Sequence, residues 1–484
     1  MLKQTQWILA LLLLALAAAA AAQTETETER PPLEEMPQAF QVAFWLNQAA
    51  LAYNDEDYED WAKATEKLHA LRPYNQDFMT HLVRAYSQMG DFSRAYSIML
   101  TMQQQGLAEN WDEIDDVAPL REHRLYNHLS DLMRDAGDSF GVADRFATLP
   151  SSIRMPEAVA FDPDSDRMFV GTVREGHILV TEDGENWTEF ATPDDNRELM
   201  AVFDLVVDSE RGHLWVSTGA VPQFKGFRQV DQGRTALLKL DLASGEMISV
   251  HRVIPDGKAR LLGAMTLASD GTVYAADTRI PTIFRLRPDD EHPQPLFTHD
   301  NFTSLRGIAL SDDGQLLYVA DYELGILVVS TDDASKAWKL AVPDSLNEGG
   351  IDGLYWWDNH LIAIQNGISP ERIMRFQLGE DGLGVASIAP VAGSLPEFDT
   401  PTYGTMSGST LYFLAGSHWN HVDTRGRPGS NGLPDIALMS TDVSAVSRQL
   451  LGAEVVERLR EQNAARMREQ EAQEAQESNP DPDS

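Results

Sequence analysis

Residues Ser311 to Asp321 read S-D-D-G-Q-L-L-Y-V-A-D, a tight polar turn followed by a strand. The Asp and Gly residues suit the positive φ angles of a tight hairpin turn, and the residues after them alternate with the period of two that is typical of a β-strand. Five other segments repeat this plan of strand, polar turn and strand. They begin at Ala158, Leu205, Met265, Leu354 and Thr405. The stretch at Ser311 is therefore one unit of a repeat.

The spacing of the repeat predicts the architecture. The large apolar residue of each second strand recurs at steps of 46, 59, 44, 44 and 50 residues, at Phe169, Trp215, Tyr274, Tyr318, Ile362 and Tyr412. Six units at such a step are typical of a six-bladed β-propeller. The sixth unit has no good outer strand after Asp442, whereas Val142 to Thr148 is a strand without a unit of its own. We therefore predict that Val142 to Thr148 closes the ring as the outer strand of the sixth blade.

The segment before the propeller has a helical period. When it is shifted by 34 residues, Asp57-Tyr58 falls on Asp91-Phe92 and Leu68 on Met102, which is the tetratricopeptide period. The second unit resembles that repeat best, at Leu82, Ala85, Tyr86, Gly90, Asp91 and Ala95. About two units lack a continuous core of their own, so we expect them, with a helix around Leu120 to Met133, to pack on the rest of the chain. They form either a structural cap or a peptide-binding groove for a protein partner.

The predicted organisation is therefore mainly β, with a helical domain at 38–137 and a propeller at 138–446. Residues 1–22 have the positive charge, apolar run and small residues of an export signal, and the 16 residues from Trp7 to Ala22 are too few to span a membrane. Residues 23–37 form an acidic linker and residues 447–484 a polar tail. An exported chain without cysteine relies on packing alone, which suits a periplasmic or secreted protein.

Composition excludes several classes of function. A formal net charge of −37 over 484 residues repels nucleic acid and anionic lipid, so neither is an expected partner. The absence of cysteine excludes thiolate metal sites and cysteine nucleophiles. The sequence contains no H-E-x-x-H, Walker-type or dinucleotide-binding motif. Small molecules, carbohydrates, cations and proteins remain as partners.

The unit at Ser311, with its relatives A-S-D-G-T-V-Y-A-A-D-T and D-G-L-Y-W-W-D-N-H-L-I-A-I-Q-N, resembles the senescence-marker-protein and gluconolactonase superfamily and the related NHL-type propellers. The resemblance covers about Pro150 to Val443. It implies a site at the central mouth of the propeller, where lactonases of that family hold a divalent cation with a glutamate, two asparagines and an aspartate. Glu157 in M-P-E-A-V matches the glutamate, and Asp352 in I-D-G-L matches the aspartate.

The sequence departs from that pattern at the two asparagines. Those positions hold Phe203 and Leu262, which cannot ligate a hard cation. Arg306 faces the same mouth and would compete with a cation for the two carboxylates. In one interpretation, Arg306 and the carboxylates bind a small-molecule or sugar-type ligand without a cofactor. In the other, calcium is held by the carboxylates and neighbouring Asp204, and the carboxylates are the catalytic candidates of a lactonase or related ester hydrolase.

Two long loops add side chains to the mouth. The loop Gly219 to Arg234 could receive an anionic or sugar-like ligand by stacking and hydrogen bonding, through Phe224, Lys225, Phe227 and Arg228. The loop Ser417 to Pro434 carries His418, Trp419 and His421 as candidate ligand contacts, and its two histidines, three residues apart, could bind a metal or act as acid and base. Ordinary loop contacts are the alternative for both loops. The expected function is ligand binding at the mouth, with a metal-dependent lactonase and a protein-interaction scaffold as alternatives.

Overall fold

The computed structural model describes residues 31–445. The predicted export signal at 1–22, most of the predicted acidic linker at 23–37 and the predicted tail at 447–484 lie outside the described residues. Among the helices of 31–445, none is long and apolar enough to cross a membrane.

Within residues 31–445, five α-helices precede the strands, and consecutive helices pack side by side. They are α1 (Gln38–Asn54), α2 (Tyr58–Leu71), α3 (Gln76–Met89), α4 (Phe92–Gln104) and α5 (Tyr126–Asp135). Asp57, Asn75 and Asp91 begin three of them, because each side chain accepts a hydrogen bond from an otherwise unpaired backbone N–H of the first turn. Gly90 ends α3 in the left-handed conformation, which lets α4 start two residues later.

The helical domain has one apolar core that reaches the rest of the chain. Its buried side chains include Trp61, Leu82, Met99, Met102 and Trp111. Ile368, from a loop of the β-domain, belongs to the same cluster. Next to it, the guanidinium of Arg372 donates to the backbone oxygens of Gln105 (3.0 Å) and Gly106 (3.3 Å), just beyond α4. The short repeat therefore packs on the β-domain, as its length predicts.

The strands of the β-domain begin with β1 (Phe140–Gly141) and β2 (Asp144–Leu149), which precede the first blade. Blade 1 contains β3 (Pro156–Asp162), β4 (Arg167–Thr172), β5 (Ile178–Thr181) and β6 (Thr188–Ala191). Blade 2 contains β7 (Ala201–Asp208), β8 (His213–Gly219), β9 (Thr235–Asp241) and β10 (Met247–Arg252). Blade 3 contains β11 (Leu262–Leu267), β12 (Val273–Asp277), β13 (Thr282–Leu286) and β14 (Gln294–Thr298).

The second half of the β-domain follows the same plan. Blade 4 contains β15 (Leu305–Leu310), β16 (Leu316–Asp321), β17 (Gly325–Ser330) and β18 (Ala337–Lys339). Blade 5 contains β19 (Ile351–Trp357), β20 (His360–Gln365), β21 (Arg372–Leu378) and β22 (Val385–Gly393). Blade 6 contains β23 (Gly404–Ser407), β24 (Thr410–Leu414) and β25 (Ile436–Asp442). The first strand of each blade contacts the first strands of both neighbouring blades, so the six blades form a closed propeller.

The segment before the first blade closes the ring, as predicted. Strand β2 pairs antiparallel with β25, with Asp144 opposite Ser440 and Leu149 opposite Ile436. Strand β1, which the sequence analysis does not predict, pairs with β22 as a fifth strand of blade 5. The chain that enters the propeller therefore joins blades 5 and 6.

The helical domain lies at the end of the propeller that carries the central mouth. Arg72 forms an ion pair with Glu323, and the hydroxyl of Tyr74 donates to Glu348 at 2.7 Å. Glu323 follows the second strand of blade 4, and Glu348 precedes the first strand of blade 5. Both positions lie opposite the tight turns that join first to second strands. The helices are therefore neighbours of the mouth.

Candidate functional site

β-Bulges on the innermost strands position the candidate site. In five of the six innermost strands, the pairing with the second strand shifts register at the mouth end. The residues at these shifts include Glu157 in β3, Phe203 in β7, Gly263 in β11, Arg306 in β15 and Asp352 in β19. A bulge re-aims the side chain that it frees from the ladder. Repeated around the ring, the bulges bring side chains from separate blades to one mouth.

The register corrects one position of the sequence alignment. Leu262 pairs with Asp277 as Leu305 pairs with Asp321, and both leucines are completely buried. The residue equivalent to Arg306 is therefore Gly263, not Leu262. Leu262 lies as far before Tyr274 as Arg306 lies before Tyr318, and this equal spacing misplaces the residue because the turn of blade 3 is one residue shorter than that of blade 4.

Arg306 and Asp352 form the charged centre of the mouth. Nη1 of Arg306 lies 3.8 Å from Oδ1 of Asp352, and this buried oxygen has no hydrogen-bond partner among the described residues. The other carboxylate oxygen of Asp352 accepts from the side chain of Asn366 at 2.9 Å. Burial alone would lower the pKa of Arg306, but the nearby carboxylate of Asp352 and the tyrosines beside it raise it above its ordinary value. The guanidinium is thus charged and its side chain is 37% exposed.

Glu157 is the second carboxyl group of the mouth. It is buried, and the indole N–H of Trp419 donates to its Oε2 at 2.7 Å. Burial, and then the negative charge of Asp352, raise the pKa of Glu157 to about 8. The hydrogen bond from Trp419 and the charge of Arg306 oppose that shift without cancelling it. At neutral pH this group therefore carries a proton and can donate a hydrogen bond.

Asp204 lies beside the mouth, at the bulge of β7. Its two oxygens accept from the backbone N–H groups of Leu205 (2.8 Å) and Met265 (2.5 Å), so the carboxyl group links blade 2 to blade 3. Burial raises the pKa of Asp204 to about 7 although both hydrogen bonds lower it. Tyr403 is also buried near these groups, and burial raises its pKa well above the ordinary value.

The loop Gly219 to Arg234 supplies an apolar wall more than a cationic tip. Phe224 is buried and packs with Phe203, while Phe227 and Trp419 cover the same cluster from outside. Arg228 is exposed, but its Nε donates to Asp231 at 2.6 Å within the loop. Lys225 is exposed as well. Of the four loop residues considered as ligand contacts, the structure gives Phe224 a packing role and Arg228 a partner within the loop.

The two histidines of the loop Ser417 to Pro434 have separate partners and do not form a common site. His418 is buried, and its Nδ1 accepts from the backbone N–H of Met155 at 2.9 Å while its Nε2–H donates to the oxygen of Pro434 at 2.8 Å. Burial lowers the pKa of His418. Both ring nitrogens are therefore used inside the protein, and His418 positions the loop that carries Trp419. His421 instead pairs with Asp399, Nε2 to Oδ2, at 3.0 Å.

The residues at the mouth do not fit a resident divalent cation. The structure brings Glu157 and Asp352 together, but each carboxylate oxygen of Asp204 already accepts a hydrogen bond from a backbone N–H group. Phe203 and Gly263 stand where hard ligands would be needed, and the charged Arg306 faces Asp352. No group of three or more metal-ligating side chains occurs within residues 31–445. The donor set suits an arginine–carboxylate cluster better than calcium.

Two residues of the mouth were not found by sequence reasoning. Asn366 donates to Asp352 and, at 2.8 Å, to the oxygen of Pro401, and it accepts from the hydroxyl of Tyr322 at 2.9 Å. Tyr322 in turn lies under the guanidinium of Arg306, 5.5 Å from its ring centre. Each residue directly follows a second strand, as Asp277 and Asp321 end theirs. A polar side chain directly after a second strand is the sequence feature that could have identified Tyr322 and Asn366.

The fold and the site define the class of this protein: a six-bladed β-propeller with an N-terminal helical domain and an arginine–carboxylate cluster at its mouth. No protein-family model matches the chain, and no curated protein matches it.

Similar folds among solved structures include a luciferin-regenerating enzyme, with 14% identity over 63% of this chain and 97% of that one, and a TM-score of 0.44. A putative gluconolactonase has 16% identity over 64% and 96%, with a TM-score of 0.43. The calcium-binding regucalcin of Agrobacterium tumefaciens has 16% identity over 63% and 97%, with a TM-score of 0.42. The structural neighbours thus include gluconolactonase-like proteins.

Proposed function

We propose that this protein binds a small polyhydroxylated ligand of sugar type at the mouth of the propeller, without a metal ion. The observation that carries the proposal is the pair of Arg306 and Asp352. Their opposite charges lie 3.8 Å apart, too far for a direct hydrogen bond, and Oδ1 of Asp352 has no other partner among the described residues. Both groups therefore retain hydrogen-bonding capacity that a ligand could use after a small movement of Arg306.

The other groups of the mouth complement a sugar. Arg306 donates hydrogen bonds, Asp352 accepts them, and the protonated Glu157 can do both, as hydroxyl groups can. The half-buried rings of Phe227 and Trp419 offer an apolar surface to the C–H face of a sugar ring. The charges of Arg306 and Asp352 compensate each other, which favours a neutral ligand over a multiply charged one.

Isothermal titration calorimetry in metal-free buffer tests the proposal with a panel of aldoses, aldonolactones and aldonic acids. We expect Arg306→Gln to weaken binding at least about tenfold, because it removes a charge-assisted donor. The matched variant Arg287→Gln, at an exposed position after the third strand of blade 3, should bind like the wild type. A wild type that binds no member of the panel, or an unchanged affinity in Arg306→Gln, would reject the proposal.

A divalent-metal-dependent lactonase or related ester hydrolase is the second candidate, because Glu157 and Asp352 lie close enough for the charge of one to shift the pKa of the other. A calcium titration without sugar separates the two candidates. Tight calcium binding that is lost in Asp352→Asn supports the hydrolase. If Arg306 takes the place of the metal, the wild type should bind no calcium. The variant Arg306→Gln frees the carboxylates of Glu157 and Asp352, so affinity for calcium should appear in this variant if it appears at all.

We also propose that the chain is exported to the periplasm or secreted. The support is the pattern of residues 1–22 together with the absence of cysteine. Mass spectrometry of the protein purified from its natural host should find a mature N-terminus near Gln23 in the exported fraction. A cytoplasmic protein that retains Met1 would contradict this localisation.

A further inference from the structure

We propose that two copies of this chain associate through the exposed face of α1. The helix packs on α2 with one side only, and Ala49 is its one fully buried residue. On the outer side, Phe40 is 49% exposed, Phe44 38% and Leu51 52%. This inference concerns a surface away from the mouth and does not depend on the proposed ligand.

The outer residues of α1 follow a heptad pattern. Five of the exposed positions of α1 follow one another in steps of four, three, four and three residues, and we call them the α1 seam: Phe40, Phe44, Asn47, Leu51 and Asn54. Ala39, Ala50 and Tyr53 are exposed beside them. Alternating steps of four and three are those of the contact line of a coiled coil. The inner side packs on the domain core through Val42, Trp45, Leu46 and Ala49. The outer side therefore carries three large apolar residues, Phe40, Phe44 and Leu51, whereas the outer side of a surface helix is ordinarily polar throughout.

The charge distribution indicates which partner fits the α1 seam. The helix contains no Asp, Glu, Lys or Arg, in a chain whose formal net charge is −37. Two such acidic chains repel each other wherever charged surfaces meet, and an uncharged seam avoids this repulsion. An anionic membrane would be repelled by the rest of the protein, and a basic partner would find no acid on the seam. A second copy presents the same apolar, uncharged line, and a two-fold axis pairs it with itself.

The geometry of the helix also lowers the cost of association. α1 is already folded by its packing on α2, so two copies need not order a helix when they meet. Phe44 lies near the middle of the line from Phe40 to Leu51. In a parallel or an antiparallel pair of helices it therefore contacts Phe44 of the second copy or a residue within one turn of it. Asn47 lies within the apolar line and Asn54 at its end, and a polar residue inside such a seam restricts register at some cost in stability.

Analytical ultracentrifugation of the naturally processed protein tests the proposal. We expect the wild type to sediment with twice the mass of one chain, and Phe44→Glu to sediment as a single chain because it places two carboxylates in the seam. The matched variant Gln104→Glu adds the same charge at an exposed position near the end of α4 and should remain dimeric. Far-ultraviolet circular dichroism verifies that both variants keep the wild-type helix content.

Mixing two variants of opposite charge distinguishes a lost interface from a misfolded protein, because a misfolded variant would not regain the dimer. Phe44→Lys and Phe44→Glu should each be monomeric, and an equimolar mixture should regain the dimer through opposite charges. A wild type that stays monomeric to about 100 µM, a dimer that survives Phe44→Glu, or a mixture that stays monomeric would overturn the proposal. So would a monomeric wild type that dimerises only after removal of the segment that precedes Pro31, because that segment would then be what covers the seam.

Discussion

At the scale of single residues, Glu157 makes the stability of the protein depend on pH. In the folded protein it keeps its proton up to about pH 8, whereas an ordinary glutamate, with a pKa of 4.5, has lost it in the unfolded chain. Between these values the folded state binds more protons, so the free energy of unfolding falls as pH rises, by at most about 1.4 kcal/mol per pH unit for one group. Asp204, with its pKa raised to about 7, contributes with the same sign.

We therefore predict that Glu157→Gln gains stability relative to the wild type as pH rises from about 6 to 9, because the amide has no proton to lose. Urea unfolding at several pH values in that range measures the difference, which should reach about 2 kcal/mol or more. Glu380→Gln, at an exposed position, should show the pH dependence of the wild type. Stability curves for Glu157→Gln and wild type that run parallel across this range would contradict the assignment.

The residues of the mouth differ in how far the sequence reveals them. Glu157, Arg306 and Asp352 were predictable because each is the second residue of an inner strand, at the same place in a visible repeat. Gly263 was missed because a shorter turn moves the alignment by one residue. The role of His418 was not predictable either, since its partners Met155 and Pro434 come together with it only in the closed ring.

At the scale of elements, the two-residue strand β1 depends on one glycine. Gly141 has a φ of 75°, and a Cβ built there would lie 2.0 Å from the backbone oxygen of Val391 in β22. Sequence patterns could not predict β1, because two residues show no periodicity and their partner lies far along the chain. The six blades, in contrast, were predictable, because their strands alternate locally and their turns repeat.

We predict that Gly141→Ala destabilises the protein by about 2–4 kcal/mol, through backbone strain and a collision with the neighbouring strand. The matched variant is Gly432→Ala, which has a similar φ of 73° and open space around the added Cβ. It should cost about 1 kcal/mol, the strain alone. Chemical denaturation measures both, and equal losses in the two variants would show that the contact of β1 with β22 is unimportant.

A second prediction at this scale concerns Arg372, which joins the propeller to the helical domain. The side chain is buried, burial lowers its pKa to about 10, and it holds two carbonyl oxygens beyond α4. We expect Arg372→Ala to leave these oxygens unpaired and to loosen the helical domain by about 2–4 kcal/mol. Hydrogen exchange should become faster in α3 and α4 but not in blades 1 to 3. Uniformly faster exchange, or none, would contradict this local role.

At the scale of the whole molecule, the net charge of −37 opposes the compact state. Salt screens repulsion between acidic groups as well as attraction within surface ion pairs, but the excess of acidic groups makes repulsion the larger effect. We predict that the melting temperature rises when sodium chloride is increased from about 10 to 200 mM. Differential scanning calorimetry checks this, and choline chloride should act equally if screening is the cause. A falling melting temperature would indicate that the ion pairs dominate.

The closure of the ring has a consequence for how the protein is made. Strand β2 leaves the ribosome before any blade, and its partner β25 is the last strand of the propeller, so that Thr441 bonds to Val142 across 299 residues. Until β25 is synthesised, the edges of β2 and of β24 that pair with it remain unpaired, and unpaired strand edges promote aggregation. A chain that stops inside blade 6 would therefore form an open ring with unpaired strand edges, not a slightly smaller closed propeller. The seven residues of β25 close the ring. A truncated product that lacks them would expose unpaired strand edges, and cellular proteases would recognise it by these edges.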